Sequence, residues 1–437
     1  MNVGVEWNVS VIKAITWLAK TTTDPREFSK RLEQAQTNYI NETSKKTNFG
    51  AQFDKGWYGD DVVAGFFSQA KSLIDNRRAF EISMASHIIP WMYQLGQCVD
   101  FLDNVSGAVE RARRMLESNT VYPDTAMFEL ILAGNYAAIG YEVEFIPERK
   151  GIAKTPDFKC SLDGGGEFFV ECKRLQKGPY SVQEENAHFI RAKLVEGRVH
   201  SKRMSVWMDV TYKSEVISTP ENYLVNHLSN YYGKDYHWDD DYGTGFVKAS
   251  KLQSARNEVE ANGSLSFHTK LARLLKGSAL SDDFFNVFAF GQPDERDPRF
   301  ISKIKYASLL TWRCINEVSF EKRSRHITNN LSEIEKQISN YGVGVGHIAM
   351  DVDVQRDVAD KRREKNLEAT KSFKLESKLV RFNIHYLVPR IDENHSWMVD
   401  ETLDYFYNDK IIHDIIPAVR IFPEAAAFNN DLPGWHQ

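Results

Sequence analysis

Two short stretches hold residues able to do chemistry together: Pro156-Asp157 and, fourteen positions from acid to acid, Glu171-Cys172-Lys173. Two carboxylates on adjacent strands of one hairpin converge on one side of it, where a hard divalent cation such as Mg²⁺ or Mn²⁺ accepts oxygen ligands. Lys173 lies two residues after Glu171, and the side-chain period of a strand is two, so both point to the same face. An ammonium there can orient an attacking water, help lower its pKa or stabilise charge building on a phosphorane. Cys172 faces the opposite way, into the core, with its backbone carbonyl free to face the ion.

Glu-x-Lys alone carries no information, since the chain has three: Glu148/Lys150, Glu171/Lys173 and Glu376/Lys378. Pro-Asp also occurs three times, at Pro123, Pro156 and Pro293. Context separates them. Glu148/Lys150 falls in a polar Pro-Glu-Arg-Lys-Gly loop and Glu376/Lys378 in a charged, helical run. Only Glu171/Lys173 puts charge at the end of a Phe-Phe-Val strand, where it is costly unless paired.

The elements that must position these residues follow from periodicity. Residues 126–141, AMFELILAGNYAAIGY, are apolar on nearly every face, the pattern of a buried helix. Beyond Gly140 the period changes: YEVEFIP and PDFKCSL alternate, a turn follows at Gly164 to Gly166, and EFFVECKRL is an apolar strand, the last two strands forming a hairpin. From Val11 to about Asn119 apolar residues recur at helical steps, with Asn41 to Gly59 read as a loop and Ser106 to Ser118 as an exposed helix. Between Tyr180 and Asn340 a strand (SVWMDVTY), a helix (Pro220 to Tyr232), an acidic aromatic loop (DYHWDDDYG), a strand (FFNVFAFG) and a helix (LSEIEKQISNYG) are expected. A buried strand HIAMDVDV, a charged helix over Val358 to Lys378 and a strand VRFNIHYLVPRI follow. Whether SVWMDVTY or HIAMDVDV closes the sheet is left open by the pattern; the second choice makes residues 180–330 an insertion.

The order helix, strand, Pro-Asp strand, Glu-x-Lys strand over Phe128 to Leu175 resembles the PD-(D/E)XK nuclease superfamily. That resemblance implies a restriction-endonuclease-like α/β fold, a mixed sheet flanked by helices. It also implies that Asp157 and Glu171 hold one or two Mg²⁺ or Mn²⁺ ions, that the Cys172 carbonyl and Glu129 contribute to the metal site, and that Lys173 positions water. As plain physical chemistry Glu129 is a first-turn carboxylate favoured by the helix macrodipole; its apolar neighbours Phe128, Leu130, Ile131 and Leu132 argue instead for a cationic partner. Gln176, three residues beyond Lys173, stands where some members place a polar residue near the metal; otherwise it is a strand-end amide.

Other candidates are weaker. Gly342, Gly344 and Gly346 lack the Lys-Ser/Thr of a phosphate loop. Asp351 and Asp353 read as a strand leaving the core, and Asp239, Asp240 and Asp241 as a solvated acidic loop. The histidines form no HExxH pair.

A length of 437 residues, 42% hydrophobic and 26% charged, fits two or three packed units: a helical domain over 1–119 and a nuclease-like domain over 120–437 with the insertion inside it. A net charge of −5 excludes a polycation that coats nucleic acid indiscriminately. Binding to DNA, with RNA left open, falls to local patches: Lys361, Arg362 and Arg363; Lys322, Arg323 and Arg325; Arg111, Arg113 and Arg114. Each is equally a solvated helix face. Cys98, Cys160, Cys172 and Cys314 show neither zinc nor disulfide spacing, which fits a reducing cytoplasm. No apolar run is long enough for a bilayer, and no membrane partner is expected. The combined expectation is a Mg²⁺-dependent endodeoxyribonuclease of bacterial or phage-defence type, acting as a homodimer or with partner subunits. The rivals are a catalytically silent nuclease fold that binds nucleic acid or senses an effector, and a helical interaction scaffold.

Overall fold

The computed structural model describes residues 3–45, 60–119, 121–147, 154–162, 165–266, 269–280, 284–373, 378–391, 397–408, 416–423 and 432–436. The chain opens with α1 (Val3–Thr21), α2 (Pro25–Lys45), α3 (Val62–Asp75), α4 (Ile82–Leu102) and α5 (Ala108–Glu117). Then α6 (Asp124–Ala138) leads into β1 (Glu142–Phe145), β2 (Phe158–Ser161) and β3 (Glu167–Leu175). β2 pairs antiparallel with both β1 and β3.

After β3 the chain leaves this sheet. α7 (Pro179–Lys202), β4 (Val206–Tyr212), α8 (Tyr223–Ser229), β5 (Tyr236–Asp239), β6 (Gly243–Ala249), α9 (Leu252–Asn262), β7 (Leu265–Ser266), α10 (Thr269–Lys276), β8 (Phe284–Pro293) and β9 (Phe300–Cys314) form a second mixed sheet and its helices. The strand order there is β5-β6-β4-β9-β7, with β8 also on β9. Separate apolar clusters stabilise this unit: one joins α7 and α8 to Met208, Tyr212 and Trp312, the other joins α9 and α10 to Ile301 and Leu309.

The chain returns through α11 (Glu317–Arg323) and α12 (Thr328–Ser339) to β10 (Gly344–Asp351), α13 (Arg356–Ser372), β11 (Leu379–Ile391) and β12 (Trp397–Tyr407). β10 lies parallel to β3, Gly344 opposite Phe169 and Met350 opposite Leu175. The first sheet therefore runs β1-β2-β3-β10-β11-β12, and HIAMDVDV, not SVWMDVTY, is the strand beside the Glu-x-Lys strand.

Helices cover both faces of that sheet. On one, Phe168, Val170, Cys172, Val345 and Ala349 share a core with α4, α6 and the N-terminal helices, from Val11 through Phe67 and Leu95 to Phe128. On the other, Ile334 and Ile338 of α12 pack with Ile348, Met350, Phe382 and Ile384. A fully buried side chain such as Phe128 contributes roughly 1.5–3 kcal/mol by leaving water. Gly346 is needed for the second layer, because a Cβ there would stand 2.8 Å from Ile334 Cγ2.

Several expectations change. α6 begins at Asp124, so Glu129 sits in its second turn, beyond the strongest part of the helix dipole. α5 is not simply exposed, since it buries Ala108, Ala112, Met115 and Leu116 on one side. The acidic loop is half strand: β5 and β6 form a hairpin whose turn is built by Asp240, which accepts from Tyr242 N, Gly243 N and Tyr223 Oη at 2.9–3.0 Å. α2 continues to Lys45 into the segment read as loop, and the rest of that segment, 46–59, lies outside the described residues. So do Glu148 and Lys150, Gly164 of the hairpin turn, and Glu376; α13 ends at Ser372. Among the described residues no helix is long and apolar enough to cross a membrane.

Candidate active site

The alternation of β3 divides its side chains between the two layers. Cys172 points into the α6 layer and is 4% exposed. Glu171 and Lys173 point the other way, toward α12. The hairpin then delivers Asp157: its N–H donates to the Val170 carbonyl at 3.0 Å, and its carboxylate Oδ2 accepts from Cys172 N at 2.7 Å. Asp157 is thereby held beside Glu171 at the start of β2.

Glu171 is 1% exposed. Its Oε1 stands 2.6 Å from Lys173 Nζ, whereas its Oε2 is buried without a hydrogen-bond partner. Lys173 also donates to Gln337 Oε1 of α12 at 2.9 Å, and Gln337 Nε2 donates to the Thr155 carbonyl at 3.0 Å. This amide ties α12 to both halves of the hairpin.

Withdrawal from water pushes the Asp157 carboxyl well above the ordinary carboxylate range, and the charge of Glu171 adds to that. The Cys172 N–H, Arg111 and Lys173 oppose the rise without cancelling it. Burial likewise pushes Glu171 up, against the pull of Lys173 and with a further push from Glu129. For Lys173 burial alone would favour the neutral amine, but the charge and hydrogen bond of Glu171 outweigh it and its pKa is raised. The ammonium is therefore firmly charged between two carboxyls that resist ionising together.

Such a pair suits a hard divalent cation, since Mg²⁺ is commonly held by one or two carboxylates with water or phosphate oxygens completing its shell. The orphaned Oε2 of Glu171 is the donor atom that such an ion would satisfy. Among the described residues no group of three or more His, Cys, Asp or Glu side chains is arranged to hold a metal, so the fit rests on two carboxylates. Glu129 is 4% exposed and ion-paired at 2.5 Å with Arg111 of α5, and the field of its charge acts on Glu171. Opposite Cys172 in the β-ladder is His347 of β10.

The basic patches disperse. Lys361 pairs with Glu321 at 2.6 Å and Arg363 with Asp404 at 2.7 Å. Lys322 pairs with Glu215 at 2.6 Å, and Arg113 with Glu110 at 2.7 Å. Arg362, Arg323, Arg325 and Gln176 instead meet at one cavity of about 620 Å³ beyond the C-terminal ends of β3 and β10. Gln176 donates there to Asp124. Asp351 and Asp353 line the same cavity, bound by Arg174 at 2.7 Å and by Arg323 at 2.5 Å.

Sequence reading missed Arg174 and Lys177, which also line it; the signal was the continuation Lys-Arg-Leu-Gln-Lys, where alternate positions turn Arg174 away from Lys173. It also missed a polar chain inside the sheet. Tyr136 Oη lies 2.9 Å from His347 Nε2, His347 Nδ1 2.8 Å from His385 Nε2, and His385 Nδ1 2.5 Å from Glu401 Oε1. Histidines in mid-strand of apolar runs were its only trace. No family model matches the chain, and comparisons with curated proteins and with solved structures also find no match.

Proposed function

We propose that this chain is a metal-dependent nuclease that hydrolyses DNA phosphodiester bonds at Asp157, Glu171 and Lys173 on a restriction-endonuclease-like core. The element order supports this reading: a buried helix, three antiparallel strands, then a parallel strand next to the Glu-x-Lys strand. The observation that carries it is the pair of withdrawn carboxyls, one with an unsatisfied buried oxygen, beside a charged lysine.

Asp157 and Glu171 would hold Mg²⁺ or Mn²⁺. A divalent ion supplies Lewis acidity toward a phosphoryl oxygen and a lower pKa for water. Lys173, anchored by Gln337, places a positive charge where an attacking oxygen must be oriented and where negative charge grows on phosphorus. The fixed amide N–H of Cys172 holds Asp157 in its orientation. Glu129 acts on Glu171 by its field and is assigned a positioning role through Arg111 rather than contact with substrate.

Cleavage of plasmid DNA with Mg²⁺ or Mn²⁺, comparing wild type with Asp157→Ala and Lys173→Ala, tests the proposal; RNA is run in parallel. Cleavage lost in both variants is expected. A wild type that leaves every substrate intact overturns the enzyme reading. The closed Glu171–Lys173 pair favours one alternative, a nuclease fold that binds without cutting; steeply salt-dependent DNA binding with no cleavage selects it.

A further inference from the structure

The cavity beyond β3 and β10 lies where parallel strands end, the usual place for a ligand crevice in α/β sheets. Its volume of about 620 Å³ suits a small molecule. Five Arg or Lys side chains face it against two Asp, although the whole chain carries −5. Both aspartates are already engaged by Arg174 and Arg323.

Of the remaining three, Lys177 pairs with Glu185, and two are not consumed. Arg325 and Arg362, from helix-flanking and helical segments far apart in sequence, make no hydrogen bond or ion pair among the described residues. The Nε of Arg362 is nonetheless buried, and so is Nη1 of Arg174, whose side chain is 5% exposed; neither atom has a hydrogen-bond partner. Buried guanidinium donors left open are costly unless something satisfies them, and phosphate oxygens match their geometry. Gly178 keeps the wall thin beside Arg325, because a Cβ there would stand 3.2 Å from Arg325 Cδ.

The cavity also has an aromatic wall. Phe284 lies under the Arg323 guanidinium at 5.5 Å and the Lys177 ammonium at 6.0 Å. It is half-buried, and it comes from the second sheet while the arginines come from the first sheet and its helices. A ligand with a phosphate at one end and a planar ring at the other would touch both units.

We propose that this cavity binds a nucleotide phosphomonoester, with the phosphate on Arg174, Arg325 and Arg362 and the base against Phe284. The ligand is either a free nucleotide or the phosphorylated end of a nucleic-acid strand. The inference does not depend on hydrolysis at Asp157 and Glu171, and its readout is binding.

Calorimetric titration of the full chain in EDTA tests it, using AMP, ATP, inorganic phosphate and a short oligodeoxynucleotide with and without a 5′-phosphate. Saturable binding of AMP or ATP assigns a free nucleotide; binding confined to the 5′-phosphorylated oligonucleotide assigns a strand end. In either case Arg325→Gln and Arg362→Gln should weaken binding by about tenfold each, one bidentate contact's worth. Phe284→Ala should weaken the base-bearing ligands but not inorganic phosphate. Arg325 is exposed, so its variant keeps the test valid if Arg362→Gln fails to fold. Absence of saturable binding at millimolar concentration, or affinities unchanged in a folded Arg325→Gln, overturns the proposal.

Discussion

Lys173 and Glu171 stand on the same face of β3 with Nζ 2.6 Å from Oε1, and Lys173 is the only ammonium that the buried Glu171 carboxylate touches among the described residues. Lys173→Ala therefore does more than remove a group from the proposed chemistry: it leaves a carboxylate without its counter-charge. Breaking a buried pair costs about 3–5 kcal/mol, and with the lysine side chain one-fifth exposed the expected loss is nearer 2 kcal/mol. The double variant Glu171→Gln/Lys173→Met should recover most of it in urea denaturation. A single variant as stable as wild type would show that the pair is screened by solvent.

Arg111 and Glu129 form a second pair, similarly enclosed, with side chains 18% and 5% exposed. Arg111→Met should destabilise by about 2–4 kcal/mol, and Arg111→Met/Glu129→Leu should restore stability. Glu129→Gln separates positioning from direct metal contact. Contact predicts loss of cleavage at every metal concentration, whereas a field effect predicts a shift of the pH profile of cleavage with the maximal rate retained.

Two buried histidines make the stability pH-dependent. Burial holds His188 down to about 3, and holds His347 well below its usual value with help from the charges of His385 and Arg381. The unfolded chain binds protons on these imidazoles below its ordinary value of 6.5, and the folded chain does not. Their contribution is thus complete above that pH and lost as pH falls. Each should lower stability by about 1 kcal/mol between about pH 6.5 and about pH 5.5. Asp157 and Glu171, with raised pKa values, act in the opposite sense. The clean measurement is the difference in slope between wild type and His188→Gln, which should be shallower in the variant.

α4 and α6 touch through a glycine. A Cβ on Gly134 would lie 2.6 Å from Cys98 Cβ and 3.0 Å from its sulfur. Gly134→Ala should cost about 1–3 kcal/mol by overpacking, despite the better helix propensity of alanine. Pairing it with Cys98→Ala should not relieve the Cβ clash, so the thermal midpoint should stay low.

The local part of this architecture was legible. Around β3, Phe-Phe-Val followed by charge fixed both the strand and the face on which Glu171 and Lys173 emerge, because alternation is a property of nine consecutive residues. Partner strands were not, since β10 is separated from β3 by a complete sheet and parallel pairing leaves no mark at the turn. Glu129 shows the same limit: its apolar neighbours correctly implied a cation, but Arg111 supplied it from another helix. The run Lys361-Arg362-Arg363 looked uniform, and only the packing of α13 sends its three members to Glu321, to the cavity and to Asp404. The long helix α7 escaped notice because its apolar residues are interspersed with charges rather than gathered on one face.

The detour of the chain between Leu175 and Gly344 also has a consequence in time. During synthesis the edge of β3 that will receive β10 emerges long before its partner, and the whole second sheet must be made in between. At ~5–20 residues per second, that interval is on the order of ten seconds or more. Over that period Phe169, Glu171 and Lys173 lack the strand beside them and the helix above them, so the proposed active site is among the last parts of the molecule to assemble. A nascent chain released before α12 would carry Asp157 and Glu171 yet lack Gln337, the side chain that anchors Lys173, so the proposed site would be incomplete in it.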